Sequence, residues 1–157
     1  VDSLDSSSII LVLDAVQDPR NLGACLRSAD AAGVAGVVTS KNRSAPLSPA
    51  ARKAAAGAAE TVQVIEVSNL ARALETLSAA GVTVIGTAGD AALSLFEQAF
   101  ETPVAFVLGG EEKGLRRLTR ERCDALVRIP MYGSVESLNV SVATGICLFE
   151  GRRRLYG

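Results

Sequence analysis

The chain has 157 residues, 48% of them hydrophobic and 21% charged, with a formal net charge of -1. That profile suits one domain with a sizeable core and excludes a chain-wide basic field for nucleic acid. There is no histidine, which excludes Ser-His-Asp and Cys-His catalysis and removes the commonest general base and metal ligand. Aromatic residues make up only 4% and Trp is absent, so Ala, Val, Leu and Ile must build the core.

In chain order, Val1 and the polar run Asp2-Ser-Leu-Asp-Ser-Ser-Ser8 read as a linker over residues 1–8, ahead of a domain over 9–157. Short β-branched runs then alternate with Ala/Leu-rich helical patterns. The predicted strands are Ile9–Leu13, Gly36–Thr39, Val62–Val67, Val82–Thr87, Val104–Leu108 and Leu126–Ile129. Most are continuously apolar, as strands covered on both faces are. Between them, Leu22, Cys25, Leu26 and Ala29 recur at helical spacing, as do Leu70, Ala73, Leu74 and Leu77. One Ala-rich helix is predicted over Ala50–Ala59, after an exposed loop at Ser40–Ala50. The final helix is expected to place Val142, Ala143, Ile146 and Cys147 on one side. This alternation predicts an α/β fold with a mainly parallel sheet and flanking helices.

Cys25, Cys123 and Cys147 lie far apart without a Cys-x-x-Cys pair. They point to a reducing cytoplasm with neither a disulfide framework nor a zinc site. No apolar run reaches the roughly 20 residues of a membrane span, and no signal peptide is visible. Two basic groups stand out, Arg116/Arg117/Arg120/Arg122 and Arg152/Arg153/Arg154; charge alone favours solvated helix faces. Lys41, Arg43, Arg52 and Lys53 make a third. These either touch phosphates or keep an Ala-rich surface soluble, and the sequence favours the second reading.

Ligands of open α/β sheets bind beyond the carboxyl ends of the strands. Four loops follow such ends: after Leu13, after Leu108, after Ile129, and at Gly86-Thr-Ala-Gly-Asp90. None carries Gly-x-Gly-x-x-Gly or a P-loop, because Lys113 is followed by Gly114. Asn21 reads as a helix cap near Pro19, and Arg27 as an i,i+3 partner of Asp30. Gly109-Gly110 makes a tight turn with Glu111 and Glu112 after it. Ser137 and Asn139 stand where a helix needs capping, and a cap can also orient a substrate.

Three of these segments, taken together, carry a resemblance. Asp18-Pro-Arg-Asn-Leu-Gly-Ala-Cys-Leu-Arg-Ser-Ala-Asp-Ala-Ala-Gly33, Leu108-Gly-Gly-Glu-Glu-Lys-Gly-Leu115 and the run from Ile129 to Glu150 resemble, in that order, the signature motifs of the SpoU RNA 2'-O-ribose methyltransferases of the SPOUT superfamily. Within that family the chain is similar to the bacterial 23S rRNA guanosine-2'-O-methyltransferases. Glu112 departs from the pattern, standing where many relatives have a small residue.

The resemblance implies a C-terminal trefoil knot, S-adenosylmethionine (SAM) as methyl donor, no metal, and the ribose 2'-hydroxyl of a 23S rRNA guanosine as acceptor. It implies Arg27, Asn21, Glu111, Ser137 and Asn139 as catalytic residues. SAM is then expected among Thr87, Ala88, Gly89, Leu108, Gly109, Gly110, Ile129, Met131, Ser137, Leu138 and Asn139, with backbone contacts at Gly109, Ile129 and Leu138. It further implies a cytoplasmic homodimer packed through the first and last helices, and an N-terminal RNA-recognition domain in full-length relatives. A tRNA methyltransferase of the same family, or a silent SAM- or RNA-binding scaffold, are the alternatives.

Overall fold

The computed structural model describes residues 3–110 and 114–156. Its seven strands are β1 (Ile9–Asp14), β2 (Gly36–Ser40), β3 (Val64–Val67), β4 (Thr83–Thr87), β5 (Leu93–Ser94), β6 (Val104–Gly109) and β7 (Ala125–Arg128). They form one parallel sheet in the order β3-β2-β1-β6-β4-β7-β5. The helices are α1 (Pro19–Ala32), α2 (Pro49–Ala55), α3 (Ala58–Thr61), α4 (Leu70–Ala79), α5 (Arg117–Glu121) and α6 (Val140–Tyr156).

Alternation along the central strand builds two cores. Ile9, Leu11 and Leu13 face the apolar side of α1, α2 and α6, in a cluster with Leu22, Leu26, Phe106 and Leu148. Ile10 and Val12 face the opposite way, toward Leu70, Leu74 and Leu77 of α4. β1 and β6 are covered on both faces, and their register sets Asp14 beside Gly109 at the carboxyl edge. At the sheet margin β3 is only half covered, with Ile65 exposed. After β7, α6 recrosses the sheet to pack on α1, β1 and β6. The knot implied by the resemblance accords with this path.

Three local expectations need correction. The predicted Ala50–Ala59 helix is two helices, because Ala56 (φ 53°) and Gly57 (φ 90°) take left-handed conformations that end α2. Asn21 does not cap α1. Asp18 does, its carboxylate accepting from the Arg20 and Asn21 backbone amides at 2.8 and 3.4 Å. Pro19 sits at the first helical position, where its fixed φ suits the helix and pushes the cap one residue earlier. On α6 the buried face is Val140, Thr144, Cys147, Leu148 and Gly151, while Val142 points outward and is half exposed. Gly151 dictates this rotation: a Cβ there would lie 3.0 Å from Phe106 and 3.1 Å from Ile9.

The arginines that end the chain are largely structural. Arg152 donates to the Ala32, Gly33 and Ser7 carbonyls, satisfying the end of α1 and tying down the segment before β1. Arg154 lies 4.1 Å from the Phe100 ring centroid and donates to the Leu95 and Gln98 carbonyls. Both Arg153 and Arg154 clamp Glu150, and these bonds hold its carboxyl below the usual range. None of the three cysteines is in a disulfide; Cys25 and Cys147 are buried, and burial pushes the Cys147 thiol up to about 12.

Candidate active site

A cavity of about 530 Å³ opens beyond the carboxyl ends of β4, β6 and β7. That volume falls within the roughly 300–1,000 Å³ of small-molecule sites. The Thr87–Gly89 turn forms one wall, Leu108–Gly110 the floor, and Ile129, Met131 and Ser137–Asn139 the remainder. Every residue for which the resemblance implied cofactor contact lines this one cavity.

The floor is built from glycines for steric reasons. A Cβ on Gly109 would lie 2.1 Å from the Gly114 carbonyl carbon, and one on Gly110 would lie 2.3 Å from the Ala15 carbonyl oxygen. Only hydrogen fits between these crossing backbones, and the approach leaves main-chain groups at the cavity surface. A side-chain pair braces the same crossing from outside. Asp14, fully buried at the end of β1, accepts from the Arg116 amide at 2.9 Å and from Arg116 Nε at 2.7 Å.

Asn21 and Asn139, from α1 and the start of α6, meet beside the cavity. Asn139 Nδ2 donates to Asn21 Oδ1 at 3.0 Å, while Asn139 Oδ1 accepts from the Ser141 amide at 2.8 Å. Asn139 therefore caps α6 and reaches α1 with the same side chain. Ser137 and Leu138 line the cavity just before it.

Arg27 stands apart. It is exposed on α1, is not among the cavity-lining residues, and makes no hydrogen bond or ion pair with another described residue. Asp30, its expected partner, instead accepts from Thr61 Oγ1 at 2.9 Å. Glu111, with Glu112 and Lys113, lies outside the described residues.

Sequence reasoning missed Arg120, Arg128 and Glu136 in the lining. The two arginines are already engaged. Arg120 pairs with Asp90, and Arg128 donates to the Ala91 and Ala92 carbonyls at 3.0 and 2.6 Å. Both hold the β4–β5 loop against the cavity. Position at the end of β7 was the available signal for Arg128. Among the described lining residues Glu136 is the single carboxylate.

A parallel α/β sheet with a glycine-floored cleft at its carboxyl edge, closed by a capped C-terminal helix, defines a ligand-binding domain of the open-sheet class. The chain belongs to the SpoU rRNA Methylase family, whose sequence profile matches residues 8–149. It is 56% identical over 154 residues to the 23S rRNA (guanosine-2'-O-)-methyltransferase RlmB of Pseudomonas syringae pv. tomato, covering 98% of this chain and 62% of that protein. The AdoMet-bound rRNA methyltransferase of Sinorhizobium meliloti superposes with a TM-score of 0.89 at 34% identity, over 96% of this chain and 58% of that one. A solved structure bearing on the 2-OH methylation of C/U34 on tRNA gives a TM-score of 0.86 at 30% identity, over 96% of this chain and 97% of that one. The chain thus spans between 57% and 62% of the length of such curated relatives.

Proposed function

We propose that this chain is the catalytic part of a SAM-dependent RNA 2'-O-ribose methyltransferase, with a guanosine of 23S rRNA as its target. One observation carries the reading: the residues of separate loops expected to hold SAM line a single cavity, and Asn139–Asn21 ties that cavity to α1. The substrate assignment is supported by the names of the curated relatives at 54–59% identity.

The cavity fits SAM in volume and in its exposed main-chain groups, with Thr87–Gly89, Leu108–Gly110, Ile129, Met131 and Ser137–Asn139 as the holding residues. Bound there, SAM supplies an electrophilic methyl group on a sulfonium. The protein's task is to hold the ribose hydroxyl in line with that methyl, since positioning is worth several kcal/mol, up to about 7–11 in well-oriented cases. Asn21 and Asn139 orient the acceptor side, and Glu111 is assigned to positioning. A carboxylate tightly paired with the sulfonium stabilises the ground state more than the transition state.

The hydroxyl must also lose its proton, which passes to solvent water at the mouth of the open cavity. Arg27 is assigned to this step as the group that stabilises the developing alkoxide, a role its fixed positive charge suits better than that of base. Its exposure and its absence from the lining of its own chain's cavity support a homodimer in which Arg27 serves the partner's site. An apolar surface is available for that contact: Val142 and Phe149 on α6 and Val135 before it are each at least half exposed. The apolar stripe of α1 is already spent on the core, so α6 and the segment preceding it supply the greasy contact, with α1 contributing Arg27.

No helix is long and apolar enough to cross a membrane among the described residues, and the proposed location is the cytoplasm. A tRNA target is the second reading, favoured by the relative connected with tRNA C/U34, which this chain covers almost end to end. Labelled methyl transfer from SAM to defined 23S rRNA and tRNA transcripts tests both. Preferential labelling of a 23S guanosine ribose is expected, and a folded protein that methylates neither RNA overturns the assignment.

A further inference from the structure

A second cleft, of about 500 Å³, lies beyond the carboxyl ends of β2 and β3. The segment from Gly114 to Arg120 is the wall between the two clefts. Gly114, Leu115 and Arg120 line the first, whereas Arg116, Arg117, Leu118 and Thr119 line the second. Any extended molecule with one end in the first cleft therefore has the second as its neighbour.

Its chemistry is one-sided. Arg43, Arg116 and Arg117 line it, and among the described residues no Asp or Glu does. Asp14 engages Arg116 from behind. Arg117 is exposed and has only a loose 3.8 Å pairing with Glu121, and Arg43 makes no hydrogen bond or ion pair with another described residue. Asn42 and Ser68 add neutral hydrogen-bonding groups. This separates the basic residues of the 41–53 segment: Arg52 is committed to Glu60, whereas Arg43 faces the cleft. Among the described residues the lining contains no aromatic side chain, so it offers no stacking platform for bases. Guanidiniums without stacking residues suit phosphate oxygens, which position a nucleic acid without reading its sequence.

We propose that this second cleft binds a backbone phosphate of the RNA whose target nucleotide enters the first, with Arg43 and Arg117 as the cationic groups that hold it. The inference rests on the proposed reading of RNA as substrate and adds where the strand beside the target runs. The test is binding of a 23S rRNA transcript to this chain at salt concentrations from about 50 to 200 mM. In the double variant Arg43→Ala/Arg117→Ala, affinity should fall and the log–log salt slope should become shallower by about 1, for the one backbone phosphate no longer neutralised. The Arg43→Lys/Arg117→Lys variant should keep the wild-type slope, and Arg52→Ala should change neither quantity. Calorimetric SAM affinity should be the same in all four proteins, which also checks folding. An unchanged salt slope in the double alanine variant overturns the inference while leaving the enzyme reading intact if wild type still methylates RNA. A wild-type chain that neither binds nor methylates RNA overturns both.

Discussion

Asn139 donates from Nδ2 to Asn21 Oδ1 across 3.0 Å, joining residues 118 positions apart in the chain. The acceptor sits in the first turn of α1 and the donor caps α6, so two helix starts are locked in one relative orientation beside the cavity. A neutral amide–amide bond at the surface is worth only about 0.5–1.5 kcal/mol of stability. Its larger consequence is geometric.

The first prediction separates these effects. Asn139→Ala removes both the cap and the link, so it should cost about 1 kcal/mol of stability, within the roughly 0.5–2 usual for caps. Asn21→Ala leaves the Asp18 cap of α1 in place and should cost less. Single-turnover methyl transfer should fall in both, and the double variant should lose less than the summed activation penalties, with coupling of about 0.5–3 kcal/mol. Strict additivity in that cycle would mean that the two amides act independently.

The second prediction concerns Asp14 and Arg116. The carboxylate is fully buried at the end of β1, and its partner is one-third exposed at the cleft wall. Removing one member leaves the other without compensation, at a cost of up to about 3–5 kcal/mol for a fully buried pair. Arg116→Ala strands the buried carboxylate and should therefore destabilise the fold strongly. Asp14→Asn keeps one acceptor but turns an amide donor toward an Arg116 donor; it should still be milder, because it buries no charge and the one-third-exposed guanidinium can reach water. Urea midpoints at constant m-value measure both; equal, small shifts would remove Asp14 from its bracing role.

Much of the scaffold was legible because its signals are local. The β-branched runs of β1, β2, β4 and β6 bracket helices with clean apolar stripes, and each strand end announces a loop. The Ala50–Ala59 stretch misled because alanine propensity outweighs one glycine in a pattern, yet the left-handed turn at Ala56–Gly57 decides the chain path. The face of α6 was misread because a helix wedged between α1 and the sheet buries small residues such as Thr144 and Gly151, which an apolar count ignores. The loop set around the cavity came from the motif resemblance, and pairings such as Asp14–Arg116 depend on long-range geometry that no spacing rule encodes.

The third prediction is a pH effect. Hydrogen bonds from Arg153, then from Arg154, hold the Glu150 carboxyl below its ordinary range. A carboxylate depressed in the folded state contributes stability that is present above its unfolded pKa, about 4.3. That contribution is lost as pH falls through the folded value, because the unfolded chain then binds the extra proton. Wild type should therefore lose stability on acidification below about pH 4.3 more steeply than Glu150→Gln. Denaturation midpoints measured between about pH 3 and 7 test this; parallel profiles for the two proteins would show that Glu150 makes no net contribution.

The fourth prediction turns on Arg27, whose exposed guanidinium has no partner among the described residues. Substitution of such a surface group should change stability by no more than about 0.5 kcal/mol. If Arg27 stabilises the ribose alkoxide across a dimer interface, Arg27→Ala should nearly abolish methyl transfer while SAM affinity stays unchanged. Arg27→Lys should recover little, because an ammonium lacks the planar fork that grips hydroxyl and phosphate together. Single-turnover rates at saturating RNA and SAM report chemistry apart from binding. The dimer adds a sharper arm. Mixing Arg27→Ala with a variant whose own SAM cavity is blocked should create heterodimers with one intact composite site, formed from the cavity of the first and the arginine of the second. Recovered activity in the mixture places Arg27 in the partner's site. A wild-type rate in Arg27→Ala alone would leave it a solvated arginine on α1 and assign stabilisation of the alkoxide to another group.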